Sequence, residues 1–265
     1  MRINLIIVGC ARRPETVHKN IRKIYDPGTV VGRSGIIHKL IGAIDLEEGE
    51  FLFHIIRDDP SIVKTLEVGC CFGLSSLFIC SAIQGRNGAS HTIIDPFENN
   101  QWDGVGIMNL EEAGFRFFKL IEIKSEFALP QLLEKLEGKF DFIFIDGWHT
   151  FDHTLLDCFY ATRLLRVGGY LAIDDYWLPS VRRVVDFLSN YPCYEFCGSV
   201  GNKFTKSWKK ILIRSLMWPV HRKTWGRVFS RSLYRKIFED EESRMFALKK
   251  VKEDKRDWDW HDEAF

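Results

Sequence analysis

A buried strand ending in aspartate, a helix, and a second buried strand ending in two aspartates constrain this chain more than any other stretch. They lie within Phe140 to Trp177, FDFIFIDGWHTFDHTLLDCFYATRLLRVGGYLAIDDYW. Phe142 to Ile145 is an apolar run that stops at Asp146. A helical pattern follows, with Leu155, Phe159 and Thr162 at i, i+4 and i+7 and with Leu156 and Cys158 widening the stripe. Gly168-Gly169 is expected to stop that helix before the strand Tyr170 to Ile173, which ends at Asp174-Asp175. In a parallel βαβ unit both strands end on one edge of the sheet, and ligands bind at that carboxyl edge. Asp146, Asp174 and Asp175 are therefore expected to face one crevice. Their mutual repulsion needs an opposing charge, which a hard divalent cation with oxygen ligands supplies. Taken singly, each aspartate also suits a turn or a helix start.

The same alternation fills most of the chain. Strands are expected at Thr65–Val68, His91–Ile94, Phe117–Ile123, Tyr194–Gly198 and Lys210–Ile213. Helices are expected at Ile36–Ile44, Glu47–Ile56, Leu74–Ile83, Leu110–Gly114, Leu129–Leu136 and Val181–Leu188. This order predicts an α/β fold with a doubly wound, mostly parallel sheet. The last two strands have no helix between them and are expected to form an antiparallel hairpin at the sheet edge. Three parts are expected: a cap segment over 1–45, the main domain over 46–213, and an extension over 214–265.

Two further sites follow from strand ends. The first regular strand runs into Glu67-Val-Gly69-Cys-Cys-Phe-Gly73-Leu-Ser75, where glycines let backbone approach a ligand and the next helix offers free N–H groups. A tight turn without a ligand would look the same. The spacing is Gly-x-x-x-Gly rather than the Gly-x-Gly-x-x-Gly of dinucleotide binding, which disfavours a dehydrogenase. Asp95 ends the next strand, where a carboxylate can accept hydrogen bonds from ribose hydroxyls.

With these residues in view, the chain resembles the class I S-adenosylmethionine-dependent methyltransferases over about residues 45 to 213. It looks most like the metal-dependent catechol and caffeoyl-CoA O-methyltransferases and the bacterial relatives that methylate sugars and other natural-product hydroxyls. The resemblance implies a Rossmann-like, seven-stranded sheet. It implies that Glu67, Gly69, Gly73 and Ser75 form the first cofactor motif, and that Asp95 takes the ribose. Lys124-Ser125-Glu126, with Leu129-Pro130-Gln131-Leu132 after it, resembles the adenine loop, so Ser125 and Glu126 are implied cofactor contacts. Asp146-Gly147-Trp148-His149 resembles the segment that supplies a metal ligand, an aromatic beside the adenine, and a base. Asp146, Asp174 and Asp175 are the implied metal ligands, with Mg²⁺ the expected ion. Asp175 stands where the catechol enzymes carry Asn, and His149 where they carry Lys. His149 suits a base because imidazole titrates near neutral pH; His153, one turn on, is the alternative. The loop from Asp95 to Gly106 also resembles one that covers an active site in bacterial relatives.

The expected activity is methyl transfer to a hydroxyl of a small molecule or glycan. The rivals are an RNA methyltransferase of the same fold and a non-catalytic cofactor-binding protein. Seven cysteines without a C-x-x-C pair point to reduced thiols and a cytoplasmic setting. No apolar run is long enough to span a bilayer. Between Lys203 and Phe238 eleven Lys and Arg occur with no Asp or Glu, which leaves 26 basic against 36 acidic residues elsewhere. Interleaved Trp, Phe and Tyr make that segment suited to an anionic membrane surface, with nucleic acid the weaker fit and a packed helical cap the simplest reading. Beyond Glu239 the periodicity fades and disorder is expected. The oligomeric state is left open, a homodimer included.

Overall fold

The computed structural model describes residues 21, 24–136, 139–201 and 243–261. Among them, seven strands form one sheet: β3 (Lys64–Val68), β4 (Ser90–Ile94), β5 (Phe118–Ile121), β6 (Phe140–Ile145), β7 (Leu165–Ile173), β8 (Tyr194–Gly201) and β9 (Ser243–Lys250). Their order is β5-β4-β3-β6-β7-β9-β8. The pairs from β5 to β7 are parallel, and β9 runs antiparallel to both β7 and β8. A separate two-stranded hairpin joins β1 (Thr29–Val31) to β2 (Ile37–Lys39). The helices are α1 (Leu46–Asp58), α2 (Leu74–Ile83), α3 (Val105–Glu112), α4 (Ser125–Leu136), α5 (Phe151–Leu164) and α6 (Pro179–Leu188). This is the doubly wound, Rossmann-like sheet that the alternation predicts.

Every residue of β6 is buried, which is why FDFIFI shows no polar alternation: both faces of a central parallel strand are covered by helices. One core lies between the sheet and α1 and α2, around Phe78, Phe142 and Phe144. The other lies between the sheet and α5 and α6, around Ile143, Leu171 and Val184. α1 begins at a capping box in which Asp45 accepts from Glu48 N (3.0 Å) and Glu48 accepts from Asp45 N (2.8 Å).

The chain leaves β3 toward β4 and β5 on one side and returns to β6 and β7 on the other. The crevice of this fold therefore opens at the carboxyl ends of β3 and β6. Those ends lie at one level. Gly69 N donates to Ile94 O (2.9 Å), Asp146 N to Val68 O (2.8 Å) and Asp174 N to Ile145 O (3.0 Å), so the ladder continues one residue past each strand.

Three local expectations are corrected. Ile36–Ile44 is not a helix: Ile37–Lys39 pairs with Thr29–Val31, because β-branched Ile and Val suit a pleated pair and Gly35 supplies a left-handed turn (φ 84°). The helix expected over Leu110–Gly114 instead runs over Val105–Glu112. Its N-terminus receives a carboxylate from outside the helix, as Ile107 N donates to Glu98 Oε1 (3.0 Å). Gly168-Gly169 does not end α5; both lie inside β7, next to a shift in its register with β6. α5 ends at Leu164, where the buried Lys250 ammonium takes the carbonyls of Thr162 (3.0 Å) and Leu165 (2.8 Å). A cation there meets the negative end of the helix.

Ser243–Lys250, expected to fade into disorder, is the strand that joins β7 to β8. The antiparallel pairing beside β8 is thus made by residues from the 214–265 segment. The strand expected at Lys210–Ile213 and the cation-rich stretch from Lys203 to Phe238 lie outside the described residues, and so does the membrane or nucleic-acid contact read from that stretch. Among the described residues no helix is long and apolar enough to cross a membrane.

Candidate active site

At the crevice lies a cavity of about 460 Å³. Gly69, Asp95, Ser125, Glu126, Asp146, Trp148 and His149 line it, all named from the sequence as site residues. Gly69 has φ 89°, and a Cβ there would lie 2.0 Å from the Asp146 carbonyl oxygen, so only glycine lets β3 and β6 end this close. Asp95 organises the loop after β3. Its Oδ2 accepts from Cys70 N (2.9 Å) and Cys71 N (3.1 Å), and its Oδ1 accepts from Phe97 N (2.8 Å). At the far pole Trp148 stacks on His153 (centroids 5.4 Å apart, 22° between planes), meets Phe97 edge-on, and carries Lys124 Nζ 5.9 Å from its ring.

Three expected cofactor residues do not line the cavity. The Glu67 side chain is fully buried and faces the core, with His91 Nε2 3.1 Å from its carboxylate and the Ser76 hydroxyl donating to it. The alternation of β3 forces this, since the residues on either side of Glu67 point to the opposite face. Gly73 is left-handed (φ 74°) and packs on the backbone of Gly106, where a Cβ would lie 2.7 Å from the Gly106 carbonyl oxygen. Ser75 is buried in the first turn of α2.

Beside the cavity, ligand atoms of Asp146, His149 and Asp175 all lie within 4.8 Å of one another, a grouping that can hold a metal ion. His149 stands between the two carboxylates, with Nε2 3.4 Å from Asp146 Oδ1 and Nδ1 3.1 Å from Asp175 Oδ2. Asp175 is left-handed (φ 53°), and this turn swings its side chain back toward His149. Ser180 Oγ donates to the His149 carbonyl (2.6 Å), tying α6 to the same loop. Asp174, also expected as a ligand, is buried, and its carboxylate falls outside this grouping. Burial raises the Asp146 carboxyl well above the usual carboxylate range, and the Asp175 charge adds to it. Asp174 is raised by burial and then by Asp146 and Glu48. Two oxygen donors, one imidazole and surplus negative charge fit a hard divalent cation.

Two residues that line the cavity were not singled out from the sequence, and two more lie in the loop expected to cover it. Ile41 and Gly42, from the segment after β2, line the cavity, as do Gln101 and Trp102. The loop carrying Gln101 and Trp102 is fastened to the β1–β2 turn, where Asp103 accepts from Ser34 N (3.1 Å) and Ser34 Oγ (2.5 Å). The partly buried Cys71 thiol also lines the cavity, and burial pushes it up to about 12, so it does not act as a thiolate nucleophile near neutral pH.

Glu98 is buried under the same loop, and desolvation raises its carboxyl to about 7. An acid raised in the folded state stabilises the fold most below its unfolded value of 4.5, and the contribution is lost as pH rises through 7. Glu98→Gln, which keeps an acceptor for Ile107 N, should therefore be more stable than wild type at pH 8, by about 3 kcal/mol. Urea titrations should show the gap closing near pH 4.5; a constant gap across that range would remove Glu98 as its source.

Residues 66–176 match the family model described as "Methyltransferase domain". The match spans less than half of the chain and makes this stretch similar to a methyltransferase domain. The matched stretch begins in β3, just before the glycine loop, and ends directly after the Asp174-Asp175 pair. No curated protein sequence matches the chain. Among solved structures, the O-methyltransferase from Bacillus cereus in complex with SAH is similar at 12% identity, with a TM-score of 0.58 over 93% of this chain and 94% of that one. The O-methyltransferase TomG from Streptomyces achromogenes, involved in tomaymycin synthesis and solved with SAM, is similar at 16% identity, with a TM-score of 0.57 over 89% of each chain. At these identities the likeness establishes the methyltransferase fold.

Proposed function

We propose that this methyltransferase is an O-methyltransferase that uses S-adenosylmethionine, is assisted by a divalent cation, and acts on a hydroxyl of a small molecule or glycan. The observation that carries the reading is the meeting of two features at one sheet edge. A cavity runs from Gly69 and Asp95 to Trp148, and it opens beside the Asp146–His149–Asp175 group. In this reading Gly69 gives the cofactor close approach to backbone. Asp95 takes the ribose hydroxyls, and Ser125, Glu126 and Trp148 surround the adenine.

Asp146 and Asp175 would hold the cation, with His149 beside them. A bound Mg²⁺ would lower the pKa of a coordinated acceptor hydroxyl. A methyl sulfonium is already activated, so the protein's own part is to align the acceptor oxygen with it and to remove a proton. His149 has a carboxylate beside each ring nitrogen, and these negative charges would favour the imidazolium formed when it takes the acceptor's proton.

Calorimetry with S-adenosylhomocysteine tests the cofactor half of the reading. Binding should persist in chelator, because Gly69, Asp95, Ser125 and Trp148 stand apart from the Asp175 side of the cation group. Asp95→Ala should weaken it at least about tenfold, since three backbone N–H groups lose their acceptor. Asp95→Asn, which keeps an acceptor oxygen, should lose less. No binding by wild type, or equal binding by wild type and Asp95→Ala, would remove this assignment.

A further inference from the structure

The β1–β2 hairpin carries apolar residues on both faces. Its register pairs Thr29 with Lys39, Val30 with His38 and Val31 with Ile37. Side chains alternate along a strand, so Val30 and His38 share one face and the two flanking pairs share the other. The first face is turned inward: Val30 is buried in the core, and the His38 ring lies 6.1 Å from that of the buried Phe72. The second face carries Val31 (57% exposed) and Ile37 (69%) directly opposite each other. An antiparallel pair with one face on a core ordinarily turns polar residues outward. Ile36 beside the turn (60%) and Ile41 after β2 (71%) extend the exposed apolar surface. One exposed aliphatic residue is ordinary, but a cluster of this kind marks a surface that meets something else.

The hairpin is firmly held. Gly32 N donates to Ile36 O (2.8 Å), Leu40 N to Gly28 O (3.1 Å) and Arg33 N to Asp103 O (3.0 Å). Its charges select the partner. Lys39 shares the outer face with Ile37, Arg33 is exposed at the turn, and residues 27–44 contain no Asp or Glu. Asp103, which reaches the turn from the neighbouring loop, is engaged by Ser34 and His38. An aliphatic centre with cationic flanks complements the surface of an anionic bilayer, where aliphatic groups leave water and cations meet phosphates. Two copies joined face to face would instead set Arg33 and Lys39 against their own kind.

We propose that the outer face of the β1–β2 hairpin docks on an anionic lipid bilayer. Val31, Ile36 and Ile37 enter the boundary between headgroups and acyl chains, and Arg33 and Lys39 meet lipid phosphates. Ile41 and Gly42, which follow β2, line the cavity, so docking brings the cavity mouth to the lipid surface. This holds for any methyl acceptor.

Flotation of the full chain with vesicles tests it, using phosphatidylcholine alone or mixed with phosphatidylglycerol. Wild type should float with the mixed vesicles and much less with the neutral ones, and added salt should weaken the binding. Val31→Ser combined with Ile37→Ser should lower partitioning about tenfold or more, because two aliphatic side chains no longer leave water. Ile37→Leu, which keeps the apolar area, should stay within about twofold. Lys39→Gln should lower binding to the mixed vesicles about fivefold. The substituted side chains are exposed, so Tm should move by no more than about 2 °C. The Lys and Arg between Lys203 and Phe238 are intact in every variant. Vesicle binding that came from them alone would be equal in wild type and the double variant, and that equality overturns the proposal. So does a wild-type protein that floats with neither vesicle. Light scattering that shows a wild-type dimer falling to a monomer in the double variant also overturns it, by assigning the face to a second copy.

Discussion

Asp146→Asn should abolish Mn²⁺ binding and, in chelator at pH 7.5, should melt higher than wild type. Both effects follow from one arrangement. Asp146 lies at the carboxyl end of β6 among Asp175, Asp174 and Glu48, and burial and repulsion both oppose its charge. Replacing it with an amide of the same size keeps the packing and removes one charge, a change expected to stabilise the cation-free protein by about 1–3 kcal/mol. A cation reverses the balance in wild type: at a concentration of 100 times its Kd it adds about 2.7 kcal/mol. For a chain of this size that corresponds to a rise in Tm of about 5–10 °C. Thermal melts with and without Mn²⁺, together with the electron paramagnetic resonance signal of free Mn²⁺, read both halves. An equal Mn²⁺-induced shift in wild type and Asp146→Asn would remove Asp146 from the cation group.

Gly69→Ala should lose S-adenosylhomocysteine binding by about 100-fold or more and destabilise the fold by about 3 kcal/mol. The left-handed backbone alone costs a residue with a Cβ about 1–2 kcal/mol. The greater penalty is steric, because the new Cβ would sit 2.0 Å from the main-chain oxygen of Asp146. Backbone cannot rotate away as a side chain can, so the tips of β3 and β6 must separate. That separation moves Asp95's partners Cys70 and Cys71 on one side and Asp146 on the other. Calorimetry and a thermal melt on one sample decide the matter. A variant with wild-type Tm and wild-type affinity would show that the strand tips have slack the structure does not display.

The contrast between Gly69 and Gly73 shows where reading from residues stops. Both sit in the same glycine loop and both are left-handed. Only Gly69 faces the crevice; Gly73 is required by the close approach of Gly106, which lies 33 positions further along the chain. Glu67 makes the same point. An acid at the end of a buried strand looks like a ligand contact until β4 places His91 beside it.

Local pattern alone determined the order of β3 through β8, the helices between them, and the location of Asp95, Asp146 and Asp175 at strand ends. It could do so because hydrophobic periodicity and strand-terminal polar residues are local, and because parallel βαβ units put all strand ends on one edge. Tertiary structure decided the rest. β9 is buried on both faces, so it shows no alternation. Its cations Arg244 and Lys250 look like a solvated surface until α1 brings Asp45 and Glu47 to the first and the end of α5 brings its carbonyls to the second. The grouping of His149 with Asp146 and Asp175, and the tethering of Trp177 to Asp175, depend on side-chain directions set by a left-handed turn at a non-glycine residue. Sequence spacing carries no signal for such a turn, because its cost is met by contacts made only once the sheet edge is assembled.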